Sequence, residues 1–350
     1  MPDDTSNNSN RLSWLKNLYP GYFTLTMATG IISIAFDMLE MIPASNVMAT
    51  IACLSWCVLF ALYTWRLIVF PKAVLENLLS TRTTFIFFSF VAATDIVGLL
   101  LHQHGWQQLA LACWALAFTA WTALLYCGFS ILTLQHPDRK ANVVHGGWLI
   151  TIVGTQSLVL LGAKVAPQLG EYASYMMVEI YMLWGLGLIL YAIFVTLFCY
   201  RIFFLGMKPE DYSPLMWVIM GAAAISANAG SSLSLAPPTL GFLDSLHSVV
   251  NGAILLCWSW ATWWIPLLVI MGIWKHGILK IPLRYDPMQW NIAFPLGMYT
   301  VASYRLALTA DFEPLYWIAK IMIWIVLAVW VLVMAALLKQ IVTGFHKQAA

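Results

Sequence analysis

The chain has little charge. Only 9% of its 350 residues are Asp, Glu, Lys or Arg, against about 25% in an ordinary soluble domain, so a solvated globular surface is excluded. A net charge of +2 is too small to argue for a nucleic-acid partner. Strict apolar/polar alternation is missing, which argues against an outer-membrane barrel. The cysteines form no useful pattern: Cys53, Cys57, Cys113, Cys127, Cys199 and Cys257 all fall in apolar runs and read as small buried hydrophobes. Cys53 and Cys57 share a helix face with no histidine or further cysteine to complete a metal pattern, so no metal and no cofactor is expected. The first ten residues are polar, and the first apolar segment lacks a small-residue cleavage site, so no secretory signal is expected.

What is abundant is apolar sequence. It makes up 61% of the chain and recurs in continuous runs longer than about 18 residues, the signature of spanning helices. The reading is an all-α integral membrane protein with ten spans, at 20–38, 44–70, 84–101, 106–132, 145–163, 173–203, 214–235, 240–272, 290–309 and 312–342. They form one transmembrane domain over 20–342, flanked by cytoplasmic tails at 1–19 and 343–350. Orientation follows from the basic residues. Arg11, Lys16, Arg66, Lys72, Arg82, Arg139, Lys140, Arg201, Lys208, Lys275, Lys280, Arg284, Lys339 and Lys347 collect on one side. Lys164, Arg305 and Lys320 do not. Both termini are therefore expected in the cytoplasm of a cell whose inner (plasma) membrane holds the protein.

The spans alternate in character. Odd ones are short and rich in Gly, Ala, Ser and Thr, which suits a protein-enclosed interior. Even ones are longer and rich in Trp, Leu, Ile and Phe, which suits lipid. A weakly polar notch sits near the middle of each odd span: "MATGI", "AATDI", "VGTQS", "AAISAN" and "GMYTVAS". Thr29, Thr94, Thr155, Ser226 and Thr300 are separated by 65, 61, 71 and 74 residues, a period that means five repeated hairpins. Arranged about an axis with the odd helices inside, the five notches would line a pore, although small residues also serve helix packing alone.

Two stretches carry a resemblance. "YPGYFTLTMATGIIS" near the start and "QWNIAFPLGMYTVASYRLA" near the other end resemble the tellurite-resistance/dicarboxylate transporter family, which includes fungal malic acid permeases, fungal sulphite exporters and plant slow anion channels. The resemblance implies five helical hairpins with quasi-fivefold symmetry around a central pore, and a homotrimer with one pore per subunit. It also implies that a phenylalanine of the ninth span plugs the pore. The matching residue here is Phe294, directly before Pro295. The third and fifth spans lack the mid-helix prolines found in relatives, which puts the pore's width in question.

Read without the family, Phe294, Met298, Val301 and Arg305 fall on one helical stripe. That stripe would place an aromatic gate mid-pore and a cation toward the outer mouth, where an anion gathers. Packing for Phe294 and snorkelling for Arg305 remain open alternatives. Thr29, Gly30, Thr94, Gly154, Thr155, Gln156, Ser226, Asn228, Gly297, Met298, Thr300, Val301 and Arg305 are the candidate lining, with Tyr299 beside them. Asp95, a carboxylate near the middle of the third span, is either a proton-coupling group or a hydrogen-bonded structural one. His145 is placed at the cytoplasmic entry; His247, Lys164 and Lys320 are read as structural or interfacial. The function expected is transport of small anions, C4-dicarboxylates such as malate leading, with sulphite, tellurite-related oxyanions, chloride and nitrate as alternatives. An enzyme would need convergent nucleophiles, paired carboxylates or metal ligands, and the isolated pair His102 and His104 supplies none. A non-conducting sensor or scaffold would not need the notches to meet.

Overall fold

A computed structural model describes residues 12–134, 144–237 and 240–349. Arg11, Arg139 and Lys140, counted above among the cytoplasmic cations, lie outside the described residues, as do the first eleven residues of the N-terminal tail. Ten long helices account for the architecture. They are α1 (Phe23–Met38), α2 (Ile42–Val69), α3 (Phe88–Gln103), α4 (Gln107–Leu134), α5 (Ile150–Val165), α6 (Ala173–Phe204), α7 (Val218–Ser234), α8 (His247–Ile273), α9 (Trp290–Ala310) and α10 (Pro314–Ala349). No strand occurs among the described residues. The side where α1 begins and α10 ends is called the near face below, and the opposite side the far face.

The odd helices form a closed ring: α1 packs on α3, α3 on α5, α5 on α7, α7 on α9, and α9 back on α1. Each even helix lies outside the ring against its own hairpin partner and also touches the next odd helix along. Five hairpins therefore repeat about one axis. Burial separates the two rings sharply. In the best apolar windows, 83% of the helix ending at Gln103 and 94% of the one ending at Ser234 is buried in the protein, against 22% of α2, α4, α8 and α10.

Inner helices of 16 or 17 residues, such as α1 and α7, are about 24–26 Å long at 1.5 Å per residue. That is shorter than a hydrocarbon core of about 30 Å. The deficit is made up at the near face, where tight 3₁₀ turns precede four of the five: Thr84–Phe87, Gly146–Leu149, Pro214–Trp217 and Pro287–Gln289. Only helices shielded from lipid by a second ring can be this short and this polar.

Three features differ from the sequence expectation. A short helix, Pro71–Leu79, follows α2, its amphipathic pattern too brief to stand out beside the spans. The eighth span begins at His247 after a separate turn of helix, Gly241–Ser245. The last helix runs on to Ala349, past the expected end at 342. At the near face Arg66 of α2 is 2% exposed and donates to the Lys16 carbonyl and, at 2.7 Å, to Asn77 Oδ1. This ties the short helix to the chain's entry into α1.

Close packing in the ring depends on glycine. A Cβ at Gly146 would overlap the Leu215 carbonyl, and one at Gly221 would lie 2.7 Å from the Pro295 ring. Gly252 has open space around it. Gly146→Ala should lower the thermal midpoint of the detergent-solubilised protein by a loss of about 1–3 kcal/mol, and Gly252→Ala should leave it unchanged. Differential scanning fluorimetry of both variants checks this; equal behaviour would contradict the packing described.

Candidate functional site

The inner helices carry hydroxyls at mid-height because the outer helices carry tryptophan there. An indole N–H buried at membrane depth must find an acceptor. Trp56 of α2 donates to Thr94 Oγ1 of α3 at 3.0 Å, and Trp121 of α4 to Thr155 Oγ1 of α5 at 2.8 Å. Trp184 of α6 donates to the Ser226 carbonyl of α7 at 3.1 Å. Trp258 of α8 donates to Ser303 Oγ of α9, and Trp330 of α10 to Thr29 Oγ1 of α1, both at 2.9 Å. In every case the outer helix of one hairpin holds the inner helix of the next.

This arrangement corrects the expected orientation of the notches. The hydroxyls of Thr29, Thr94 and Thr155 turn outward to tryptophans, and each also donates to the carbonyl four residues earlier. Ser226 and Thr300 donate to the carbonyls of Ala222 and Leu296. In the ninth span the residue in register with the other four is Ser303, not Thr300. Gly30, Gly154 and Gly297 are contact points between helices: their missing Cβ positions meet Ile96, Phe88 and Ile31. Gln156 also points to the outer ring, with its side chain against Gly187 and its amide 3.3 Å from the Trp184 carbonyl.

The clasps fix the helical phase, and the phase identifies the face toward the axis. Met38, Lys164 and Leu235 lie nine residues beyond Thr29, Thr155 and Ser226, which at 100° per residue is the opposite side of the helix. All three line one cavity of about 390 Å³ at the far face, together with Ser232, Tyr304, Arg305 and Leu308. The cavity is thus the mouth of the ring. By the same rule Phe294, nine residues before Ser303, lies on the axis side of α9, and Val301 falls on the same side two turns further along. Met27, Ala92, Val153 and Ala224 occupy the same phase on the other helices as Val301 does on α9. These five and Phe294 are all 2% exposed or less, so the axis is closed to water both at the Val301 layer and at Phe294, two turns nearer the near face.

Two seams carry polar side chains on the inward side. Between α7 and α9, Asn228 donates to the Met298 sulfur at 3.1 Å, and Arg305 donates to Ser232 Oγ. Asn228 Oδ1 and Ser231 Oγ are buried without a partner among the described residues. Between α3 and α5, Ser157 Oγ lies 2.7 Å from Asp95 Oδ2 and 2.8 Å from the Gly154 carbonyl. One hydroxyl has one proton to give. The set closes with both contacts used when Asp95 carries its own proton and donates to Ser157, which then donates to Gly154.

The remaining candidates sit at the two faces. His145 Nδ1 accepts from Gly147 N at 3.0 Å and caps the turn before α5. His247 lies 2.9 Å from Ser234 Oγ. Lys320 sits 4.8 Å from the centre of the Trp317 ring. A larger cavity, about 890 Å³, opens at the near face between the end of α8, residues 281–289 and α10. It lies off the axis and includes no residue of α1, α3 or α5. Sequence reasoning missed Lys164 as a lining residue. It also missed the clasp, although Trp56, Trp121, Trp184, Trp258 and Trp330 recur at 65, 63, 74 and 72 residues, a second copy of the period that the hydroxyls showed.

A double ring of helices, a far-face mouth holding two cations and a buried phenylalanine on the axis side fit a membrane anion transporter or channel. The family profile of voltage-dependent anion channels (SLAC1) matches residues 17–338, and the chain belongs to that family. It is also similar to two curated proteins of Mycobacterium tuberculosis, named "Uncharacterized membrane protein MT1776" (strain CDC 1551 / Oshkosh) and "Uncharacterized membrane protein Rv1735c" (strain ATCC 25618 / H37Rv). Each is 37% identical over 150 residues, covering 43% of this chain and 75% of its own.

If the notch hydroxyls serve the clasp, Trp121→Phe and Thr155→Val should each destabilise the protein. A double-mutant cycle between them should give a coupling of about 0.6 kcal/mol and no more than about 1.7 kcal/mol. Equilibrium unfolding in mixed micelles measures it. Additive effects with no coupling would contradict the bond.

Proposed function

We propose that the protein carries small anions across the membrane along the axis of the inner ring, with C4-dicarboxylates such as malate as the leading substrates. The observation that carries this reading is the axial stripe of α9. Phe294 lies where the axis is closed, and Arg305, eleven residues on, lies in the mouth. Selectivity would come from the donors of the α7–α9 seam, Asn228 and Ser231, and from pore diameter. Weak donors of this kind favour passage over capture. Sulphite, chloride and other inorganic anions are the second reading, supported by the apolar character of the closed level. Phe294 is the gate in either case, with Met298 and Val301 flanking it. Positive-inside bias makes the near face cytoplasmic, with both termini there and the protein in the inner membrane. A homotrimer with one pore per subunit fits the exposed apolar surface of the even helices.

Truncating the gate tests the pathway. Phe294→Ala in liposomes should raise labelled-malate or chloride flux at least tenfold over the wild type, and unchanged flux in a folded variant would refute the assignment. Asp95 is the candidate for proton coupling. Uptake by the wild type should then rise when a proton gradient is imposed, and Asp95→Asn should abolish the response. Indifference of both proteins to the gradient would leave Asp95 as a hydrogen-bond donor between α3 and α5.

A further inference from the structure

The far-face mouth contains two cations and no visible counter-charge. Arg305 is 9% exposed, and among the described residues its guanidinium has one side-chain partner, the neutral hydroxyl of Ser232. An arginine offers five N–H donors in a fixed fork, so most of its capacity is unused. Lys164, exposed at the end of α5, lines the same cavity. Neither is ion-paired, since the one ion pair among the described residues joins Arg201 and Asp211 at the near face. Among the described residues no acidic side chain lines the cavity, and Met38, Ala163, Leu235 and Leu308 make much of its wall apolar. A buried cation facing an apolar wall is costly unless an anion accompanies it, and low polarity strengthens whatever anion does bind.

We propose that this mouth is a binding site for a small dianion, held between the Arg305 fork and the Lys164 ammonium. The proposal rests on the anion-transport reading and gives its dicarboxylate substrates a binding site at named residues. Two unpaired positive charges, with no acid in the lining among the described residues, are matched by two negative charges, whereas a monoanion leaves the exposed Lys164 to water alone. Arginine takes one carboxylate bidentately and lysine receives the other as a point charge. A molecule with two anionic oxygen groups a few bonds apart spans both. A cavity of about 390 Å³ is at the small end of ligand pockets, which run about 300–1,000 Å³, and suits a C4 acid rather than a nucleotide or a lipid headgroup.

Isothermal titration calorimetry on the purified protein with L-malate, sulfate and chloride, at fixed ionic strength, tests it. L-malate should bind at least tenfold more tightly than chloride. Lys164→Gln and Arg305→Gln should each weaken malate at least tenfold while changing chloride little. Arg305→Lys should recover part of the loss. Sulfate equal to malate would identify a single-centre dianion as the ligand, and weaker sulfate a dicarboxylate; both support a dianion site. Chloride matching malate in the wild type, or both Gln variants keeping wild-type malate affinity with an unchanged unfolding midpoint, would overturn the proposal. The pathway is judged separately: malate binding with no flux through Phe294→Ala would sink the pathway and leave the site. A conducting Phe294→Ala whose malate affinity does not change on adding Lys164→Gln would sink the site and leave the pathway.

Discussion

The structure depends on the bond between an outer-helix indole and the inner helix of the neighbouring hairpin. Lipid gives no hydrophobic reason for one helix to join another, so close packing and interhelical hydrogen bonds must supply it. Five indole bonds, each made across a hairpin boundary, provide both adhesion and phase. Because the bond fixes which side of each inner helix looks outward, it also decides which side looks inward. The axis-side composition follows from that choice, including the closed level around Phe294 and the cations at the far mouth.

The fivefold repeat is one of backbone and clasp, not of chemistry. Around the axis the equivalent positions Met27, Ala92, Val153, Ala224 and Val301 differ in size but share the absence of polarity. Polar capacity is concentrated where α7 meets α9 and where α3 meets α5. A ring of five equal weak-donor sites would attract anions from every side. An asymmetric lining offers a seam instead, with Asn228, Ser231, Ser232 and Arg305 gathered on one flank.

Much of the architecture was legible in the sequence because membrane spans are long, apolar and few in kind. The ten spans, the inside and outside sets and the period of the hairpins all rest on length and polarity, which survive without side-chain geometry. The direction of a hydroxyl does not. A threonine in an inner helix is equally consistent with an aqueous pore and with a buried acceptor, and Thr155 is settled only once Trp121 lies 2.8 Å away. Register within the longest inner helix was obscured for the same reason: α9 carries hydroxyls at both Thr300 and Ser303, and only the position of Trp258 distinguishes them. The short helix Pro71–Leu79 was hidden by neighbouring spans far more apolar than itself.

The bond from Trp330 to Thr29 joins residues 301 apart in sequence, so the barrel of inner helices is sealed by the tenth of its ten helices. Until α10 has left the ribosome and entered the bilayer, α1 stands with its mid-height hydroxyl unclaimed by the outer layer, and α9 has no hairpin partner against which to lean. Biogenesis is therefore a problem of waiting: eight or nine helices must persist side by side as an open horseshoe, shielding weakly polar surfaces from hydrocarbon, before the final segment fastens the beginning to the end.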